Sequence, residues 1–253
     1  MSLLNEIETP EDGPVAITVT GDAGSGKTTF AATFPNPIVI RLEDGLQSIP
    51  LAQRPKAFPV VRSVDQLWAQ LKTLISEEHE FETLIVDSVT SAESLFTDDV
   101  IASDPKKPKG INQALGGYGN GPAAVAAMHA RLRKAAEVLR TKKGMNVIFI
   151  AHADTETIDP PDAEPYTRYA LRLGKKSVAP WIDDVDAVCF IKLETFMSGD
   201  EGKKKARSDG TRVLVTSLSA ANVSKNRFGI EDDLELKRGE NPLLPYIPYL
   251  NKE

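Results

Sequence analysis

Residues 21–28, which read GDAGSGKT, constrain this chain more than any other part of its sequence. They match the pattern GxxxxGK[ST] at every position, directly after an apolar run at 15–20 and at the head of a helical pattern that begins near Lys27. Glycines let successive backbone N–H groups of such a loop face phosphate oxygens, together with the amino terminus of the helix. The segment therefore predicts a strand, a phosphate-binding loop and a helix, in that order.

The end of the loop carries the residues with specific chemistry. Lys27 is expected to reach the β and γ phosphates of ATP, and the Thr28 hydroxyl is expected to hold Mg²⁺. The predicted nucleotide-binding residues are Gly21, Asp22, Ala23, Gly24, Ser25, Gly26, Lys27, Thr28 and Thr29. The alternative is a glycine-rich turn that fits the pattern by chance, which the flanking strand and helix patterns disfavour.

Five short runs rich in Val and Ile predict buried strands, at residues 15–20, 37–42, 83–86, 146–151 and 186–193. Nearly continuous apolar runs are typical of strands covered on both faces, as in parallel sheets. Helical patterns alternate with them, one behind a Ser63/Gln66 capping box, one behind a Thr90/Glu93 box and one that includes Val125. This alternation predicts an α/β fold, a mostly parallel central sheet flanked by helices.

A carboxylate on the magnesium side is expected at the end of another buried strand. Asp87 directly follows the run at 83–86 and is the candidate, with capping of the next helix as the alternative role. In many P-loop ATPases a glutamate that activates water follows this aspartate, but here Ser88 follows. The candidate base is instead Glu43, behind the strand at 37–42, because ligands bind at the carboxyl ends of parallel strands. Asp44 is the immediate rival, and a solvated turn is the alternative for both.

Composition sets outer limits on function. With 253 residues, 41% hydrophobic and 26% charged, the chain has ordinary globular usage, which excludes disorder throughout. A net charge of -6 argues against a uniformly basic surface, although a local basic groove can still hold nucleic acid. The single cysteine, Cys189, lies in an apolar run and is predicted to be buried. Without a secretory signal or a membrane-spanning apolar run, we expect a cytoplasmic protein with no membrane partner.

These residues resemble the RecA-like branch of P-loop ATPases. The resemblance implies Mg²⁺-dependent ATP hydrolysis with Glu43 activating water, and an extra strand, 146–151, between the phosphate-loop strand and the strand before Asp87. A polar residue after that extra strand senses the γ-phosphate in the family, and His152 occupies this position. RecA itself has glutamine there, whereas histidine is familiar in phage members. A capping or core histidine is the alternative for His152.

The late segment Ser224-Lys225-Asn226-Arg227-Phe228-Gly229 resembles the Lys-x-Arg/Lys element of RecA and the DnaB-type helicases. The resemblance implies that Lys225 and Arg227 reach a neighbouring subunit's γ-phosphate, so that ATP lies at the interface of a homo-oligomer. Such cations neutralise charge on the transferring phosphoryl group. Without the resemblance, these residues would be interpreted as a solvated charged turn.

The overall pattern is similar to phage-encoded, AAA-type nucleotide-binding proteins with a minimal RecA core, including the Sak group of single-strand annealing recombinases. This implies action on single-stranded DNA in phage recombination, inside a bacterial host, with a single-strand-binding protein as a further partner. The family's DNA-contacting loops correspond to 104–121 and 153–176. Their candidate phosphate and base contacts are Lys106, Lys107, Lys109, Tyr118, Tyr166, Arg168, Tyr169, Arg172, Lys175 and Lys176. The basic run 203–207 is a further candidate, with solvated loop charges as the alternative throughout.

The predicted organisation is a flexible amino-terminal segment at 1–14, a single RecA-like ATPase core at 15–236 and a carboxy-terminal tail at 237–253. Three other functions remain open. One is a helicase or loader ATPase. Another is a nucleotide-controlled DNA-binding or assembly module with negligible turnover, which the absence of a glutamate beside Asp87 favours. The third, a small-molecule kinase, would need an acceptor site and a lid of arginines.

Overall fold

The computed structural model describes residue 4 and the ranges 7–198 and 205–251. The strands in this part of the chain are β1 (Ala16–Gly21), β2 (Pro37–Arg41), β3 (Lys56–Ala57), β4 (Thr83–Asp87), β5 (Asn146–Ile158), β6 (Tyr166–Leu171), β7 (Ala187–Leu193), β8 (Phe196–Ser198), β9 (Lys205–Arg207), β10 (Arg212–Val215), β11 (Lys225–Asn226) and β12 (Leu234–Glu235). The α-helices are α1 (Lys27–Ala31), α2 (Val64–Ser76), α3 (Val89–Ser103), α4 (Asn120–Lys143) and α5 (Ala179–Ile182). Short 3-10 helices cover Leu46–Ser48, Leu51–Gln53, Ile111–Gly116, Leu244–Tyr246 and Pro248–Leu250.

The main sheet has the strand order β12-β10-β7-β1-β5-β4-β2-β3. Strands β7, β1, β5, β4, β2 and β3 are parallel to one another. On the other side of β7, β10 pairs with it in antiparallel orientation, and β12 pairs antiparallel with β10. The predicted α/β fold with a mostly parallel sheet is confirmed. So is the placement of β5 between the phosphate-loop strand β1 and the strand β4 that ends at Asp87.

Each central strand contributes to two cores because neighbouring side chains point to opposite faces of a sheet. Ile38 and Ile40 of β2 pack with α2, α3 and α4 on one face, whereas Val39 packs with α1 on the other. This two-sided burial explains the nearly continuous apolar runs of the sequence. Cys189 lies in the α1-side core as predicted, and burial raises the pKa of its thiol to about 12.

The predicted start of helix α3 is wrong. Ser88, not Thr90, is the N-cap residue, and its side chain accepts a hydrogen bond from the Ser91 N–H at 3.1 Å. The helix starts earlier because β4 ends at Asp87, so the cap falls directly on the next residue. Thr90 instead accepts a hydrogen bond from the His152 N–H, and Glu93 lies 2.9 Å from the ring of buried His129.

The two segments predicted as long loops are more ordered than expected. Within 153–176, strand β5 continues to Ile158 and pairs with β6 in an antiparallel hairpin. The 104–121 segment includes a 3-10 helix and is closed by Asp104, which accepts hydrogen bonds from the N–H groups of Lys106 and Leu115. In the hairpin the order comes from the backbone ladder, and in the 104–121 segment it comes in part from N–H groups that bind the Asp104 carboxylate. A polar composition reveals neither.

The segment predicted as a carboxy-terminal tail supplies two core side chains, since Leu243 and Ile247 are fully buried beside α1. The basic run 203–207 belongs to a hairpin whose arms are β8 and β9. Lys203 and Lys204 of the basic run lie outside the described residues. Among the helices that the structure describes, none combines the length and apolarity needed to span a membrane.

Candidate nucleotide site

The phosphate loop curls back over the end of β1. Gly21 allows close approach, because a Cβ at this position would lie 2.5 Å from the Ile191 carbonyl oxygen. Gly26, at φ 101°, forms the N-cap of α1 in the left-handed region that favours glycine. The ammonium of Lys27 donates hydrogen bonds of 2.9 and 2.8 Å to the carbonyls of Gly21 and Asp22. These carbonyls hold a buried lysine in the mouth of the loop.

Several charges act on the Lys27 ammonium. Its pKa is lowered, first because burial disfavours the charged form. The carboxylates of Asp87, Glu43 and Asp22 oppose this change, while the positive charge of Arg172 adds to it. The lysine therefore lies within electrostatic reach of both acidic candidates and of an arginine that follows β6.

Thr28 and Asp87 form a pair of oxygen donors. The Thr28 hydroxyl donates a 2.8 Å hydrogen bond to Oδ2 of Asp87. Burial raises the pKa of Asp87 to about 6, although the Thr28 hydrogen bond and the Lys27 charge act in the opposite direction. A buried carboxylate beside a hydroxyl suits Mg²⁺, which prefers hard oxygen ligands and binds through one or two protein groups plus phosphates and water. No cluster of three or more His, Cys, Asp or Glu ligands occurs in the described chain, as expected for this mode.

Three side chains contact a single carboxylate oxygen of Glu43. Oε1 accepts hydrogen bonds from the hydroxyls of Ser88 and Ser91, and it lies 2.9 Å from Nε2 of His152. These contacts lower the pKa of Glu43 to about 2, with the His152 hydrogen bond as the largest cause and burial acting against it. Glu43 is therefore ionised at neutral pH. The sequence contains the two serines at the start of α3, but their role required the fold.

The Asp44 side chain has different contacts from those of Glu43. Its carboxylate pairs with Arg41 at 3.2 Å and its side chain is 48% exposed. Glu43 lines the cavity that Lys27 and Asp87 also line, whereas Asp44 is absent from that lining. The geometry thus favours Glu43 over its neighbour as the candidate base.

A cavity of about 460 Å³ brings the candidates together. Its lining includes Ala23, Gly24, Gly26, Lys27, Thr28, Thr29, Glu43, Asp87 and His152. Two further elements of the lining were not predicted: Arg212 at the start of β10, and residues 236–240, which we call the carboxy-terminal strap. Arg212 packs on the loop, since a Cβ on Gly26 would lie 3.7 Å from its Cδ and Nε atoms. Its carbonyl accepts the Leu236 N–H at 2.8 Å and so anchors the strap.

Lys225 and Arg227 lie away from this cavity. Strand β11 pairs with Val188 and Ala187 at the amino end of β7, whereas Gly21 is level with Ile191 near the other end. The Lys225 ammonium donates to the Asp183 carbonyl, and Arg227 pairs with Asp186 at 3.2 Å while its side chain is 64% exposed. Since they lie at the amino ends of the strands, these cations do not reach the cavity of their own chain.

The two segments predicted to contact DNA meet in the fold. The Lys176 ammonium donates a 3.2 Å hydrogen bond to the Gly119 carbonyl, and the adjacent Tyr118 is fully exposed. Lys106, Lys107 and Lys109 are also exposed. Tyr169 instead stacks on Phe190 with ring centroids 4.8 Å apart, and Arg168 pairs with Glu156. Tyr118 therefore offers a freer stacking surface than Tyr169.

Comparison with known proteins assigns the family. Residues 14–228 match the model of the AAA domain family. The chain belongs to this family. It is a P-loop ATPase-type protein whose core is a mostly parallel sheet flanked by helices. Solved structures with a similar fold include the crystal structure of the RadB recombinase, which is 14% identical over 81% of each chain with a TM-score of 0.46. No curated protein sequence matches the chain.

Proposed function

We propose that this AAA domain protein is a Mg²⁺-dependent ATPase that acts on single-stranded DNA in phage-type recombination, by annealing strands or assisting annealing. One observation carries the proposal. Lys27, the Thr28–Asp87 pair and the Glu43–His152 pair line the same cavity, at the carboxyl ends of β1, β2 and β4 and at the point where β5 leaves the main sheet. This arrangement supplies a phosphate cation, metal ligands and a proton acceptor.

Each side chain has a role that follows from its contacts. Lys27 exchanges the carbonyls of Gly21 and Asp22 for phosphate oxygens of ATP, and Thr28 and Asp87 hold Mg²⁺, which neutralises phosphate charge when bound. Glu43 orients water and accepts its proton through Oε2, because the described hydrogen bonds of its side chain all fall on Oε1. His152 fixes Glu43 and reports the state of the γ-phosphate.

The nucleic-acid part of the proposal rests on the surface formed by the 104–121 segment and Lys176. Exposed lysines with a fully exposed tyrosine suit single strands, in which phosphates need cations and unstacked bases need flat partners. Lys225 and Arg227 support an oligomer with ATP at the subunit interface. A single-strand-binding protein is included as a further partner on the resemblance to annealing recombinases alone.

Steady-state ATP turnover, measured with Mg²⁺ and with or without single-stranded DNA, tests the proposal. We expect hydrolysis that DNA stimulates, and at least about a 100-fold loss in Lys27→Ala, because the loop loses its cation on the phosphates. Lys72→Ala, which removes an exposed lysine of α2, is the matched control and should be unchanged. Normal turnover in a folded Lys27→Ala protein would contradict the proposed site, and turnover indifferent to DNA would contradict the proposed substrate.

A second candidate function is a nucleotide-controlled DNA-binding or assembly module with negligible turnover. The observation that favours it is the pKa of Glu43, about 2, because so weak a base accepts a proton poorly. The two functions differ in a single-turnover experiment. The ATPase converts bound ATP to ADP in the presence of DNA, whereas the module retains ATP while DNA binding changes.

A further inference from the structure

Arg172 lies directly across from His152 in the β5–β6 hairpin. The last ladder pair before the hairpin reaches the main sheet is Ala153 with Leu171, and the Arg172 N–H then donates a 2.8 Å hydrogen bond to the His152 carbonyl. Residues directly opposite in an antiparallel pair carry their side chains on the same face. The His152 ring points into the cavity to reach Glu43, so Arg172 is on the nucleotide side of the hairpin.

Another arginine on the same face of the hairpin has an acidic partner. Four residues along each strand, Glu156 stands opposite Arg168, and the two form a 2.8 Å ion pair. Arg172 has a histidine opposite it instead. Within the described ranges no ion pair or side-chain hydrogen bond involves Arg172, which is exposed, and its charge still acts on the Lys27 ammonium in the phosphate loop. The arginine is thus an exposed cation without a described side-chain partner, on the face of the hairpin that carries His152 and outside the residues that line the cavity.

We propose that Arg172 binds the γ-phosphate of the ATP held by its own subunit, and that this contact distinguishes ATP from ADP. The inference rests on the proposed function in requiring ATP in the cavity. A guanidinium presents a planar fork of N–H donors that matches phosphate oxygens, and it stays charged at any relevant pH. The β and γ phosphates lie at Lys27 in a loop of this type, which places the terminal phosphate on the side of Glu43, His152 and Arg172.

This assignment separates Arg172 from the other cations of its segment. Lys175 and Lys176 follow the hairpin and are exposed, and Lys176 reaches the loop that carries Tyr118. Arg172 instead directly follows the last residue of β6 and lies opposite His152, where the hairpin joins the main sheet. Contact with a γ-phosphate would therefore tie the base of the hairpin to the phosphate loop only while ATP is present.

Isothermal titration with Mg²⁺ and either ADP or a non-hydrolysable ATP analogue tests the proposal, using the full chain without DNA. In Arg172→Ala we expect affinity for the analogue to fall at least about tenfold, as for loss of one charge-assisted contact, with ADP affinity unchanged. Arg172→Lys should fall between Arg172→Ala and the unmodified protein. Lys72→Ala should match the unmodified protein for both nucleotides, and melting curves establish that each variant is folded.

The outcomes separate the two proposals. If the unmodified protein binds both nucleotides and Arg172→Ala weakens them equally or not at all, the γ-phosphate assignment is overturned while the nucleotide site stands. If Arg172→Ala leaves both nucleotide affinities unchanged and a separate titration with single-stranded DNA shows weaker DNA binding, the γ-phosphate assignment is overturned and the arginine belongs to the DNA surface. If the unmodified protein binds neither nucleotide, the proposed function fails and the assignment fails with it.

Discussion

The hydroxyl of Thr28 donates a 2.8 Å hydrogen bond to Oδ2 of Asp87, a residue 59 positions later in the chain. The bond joins the first turn of α1 to the end of β4, which lies beyond β5 in the sheet. Neither residue alone indicates a metal, since a threonine in a first turn and an aspartate at a strand end are both common. Their contact at the mouth of the phosphate loop places the two oxygen ligands of the proposed Mg²⁺ side by side.

Asp87→Asn should stabilise the metal-free protein and abolish its Mg²⁺-dependent hydrolysis. Burial raises the folded-state pKa of Asp87 to about 6 from 3.8. The folded state therefore binds the extra proton between these values, and stability falls as pH rises through this window. With a chelator, the variant should melt higher than the unmodified protein at pH 8, and the difference should shrink towards pH 4.

Turnover with Mg²⁺ should fall about 100-fold or more in Asp87→Asn, because a metal ligand is lost. Asp44→Asn removes an exposed carboxylate that pairs with Arg41 and serves as the control for charge. A lower melting temperature at pH 8 for the Asp87 variant would show that its carboxylate is stabilised by its surroundings rather than strained by burial.

Glu43→Gln should retain nucleotide binding and lose hydrolysis by about 100-fold or more, because an amide accepts hydrogen bonds from Ser88 and Ser91 but cannot accept a proton. Nucleotide affinity and turnover are measured on the same preparation. Asp44→Asn should hydrolyse ATP normally. Activity in Glu43→Gln with loss in Asp44→Asn would show that the base has been assigned to the wrong one of the two neighbours.

Replacing Lys106, Lys107 and Lys109 together by alanine should weaken single-stranded DNA binding and flatten its salt dependence. Each phosphate contact contributes about 0.7 to the slope of log affinity against log salt for single strands, so the slope should fall by about 2. The control is a triple alanine variant at Lys72, Lys134 and Lys142, which are exposed on α2 and α4. Equal slopes in the two variants would place the DNA site elsewhere, with the basic run 203–207 as the next surface to test.

A mixture of Lys27→Ala and Arg227→Ala proteins should recover part of the ATPase activity that each lacks alone. Some interfaces in the mixture pair an intact phosphate loop with an intact Arg227. Arg227 follows β11, which pairs with the amino end of β7, away from the phosphate loop of its own chain. ATP should also promote assembly, because a ligand that contacts both sides of an interface favours the joined state. Turnover and sedimentation are measured on the same samples. Normal hydrolysis by Arg227→Ala alone would contradict the assignment and leave Arg227 as a solvated residue of a charged turn.

The elements around the phosphate loop could be predicted because their signals are local. The loop pattern, the apolar runs and the residue after each strand all lie within a few positions of one another, and parallel strands align their carboxyl ends. The sequence places Ser88 after Asp87, where many P-loop ATPases have a glutamate, but it does not indicate which side chain Ser88 contacts. Its contact with Glu43 spans 45 positions and depends on β2 pairing with β4, which neither run specifies.

Arg212 and the carboxy-terminal strap could not be predicted for a related reason. A short antiparallel strand such as β10 carries no motif that indicates which loop it will contact. The strap has the composition of a polar segment after the last apolar run. The apolar pattern does not predict the order of the 153–176 segment, because β5 is buried only as far as Ala151. Beyond that residue the strand loses its apolar pattern while its ladder with β6 continues. Backbone pairing persists where the hydrophobic pattern ends.

Leu243 and Ile247, both fully buried beside α1, hold the strap from its far end as Arg212 holds it from the near one. The burial of these two side chains limits where a minimal fragment of this protein can end. A fragment that stopped at residue 236 would keep every motif visible in the sequence, yet it would lose two core side chains and one side of the nucleotide cavity together. Expression boundaries drawn from the motifs alone would thus damage the site they were meant to isolate, and a useful fragment must extend past Ile247.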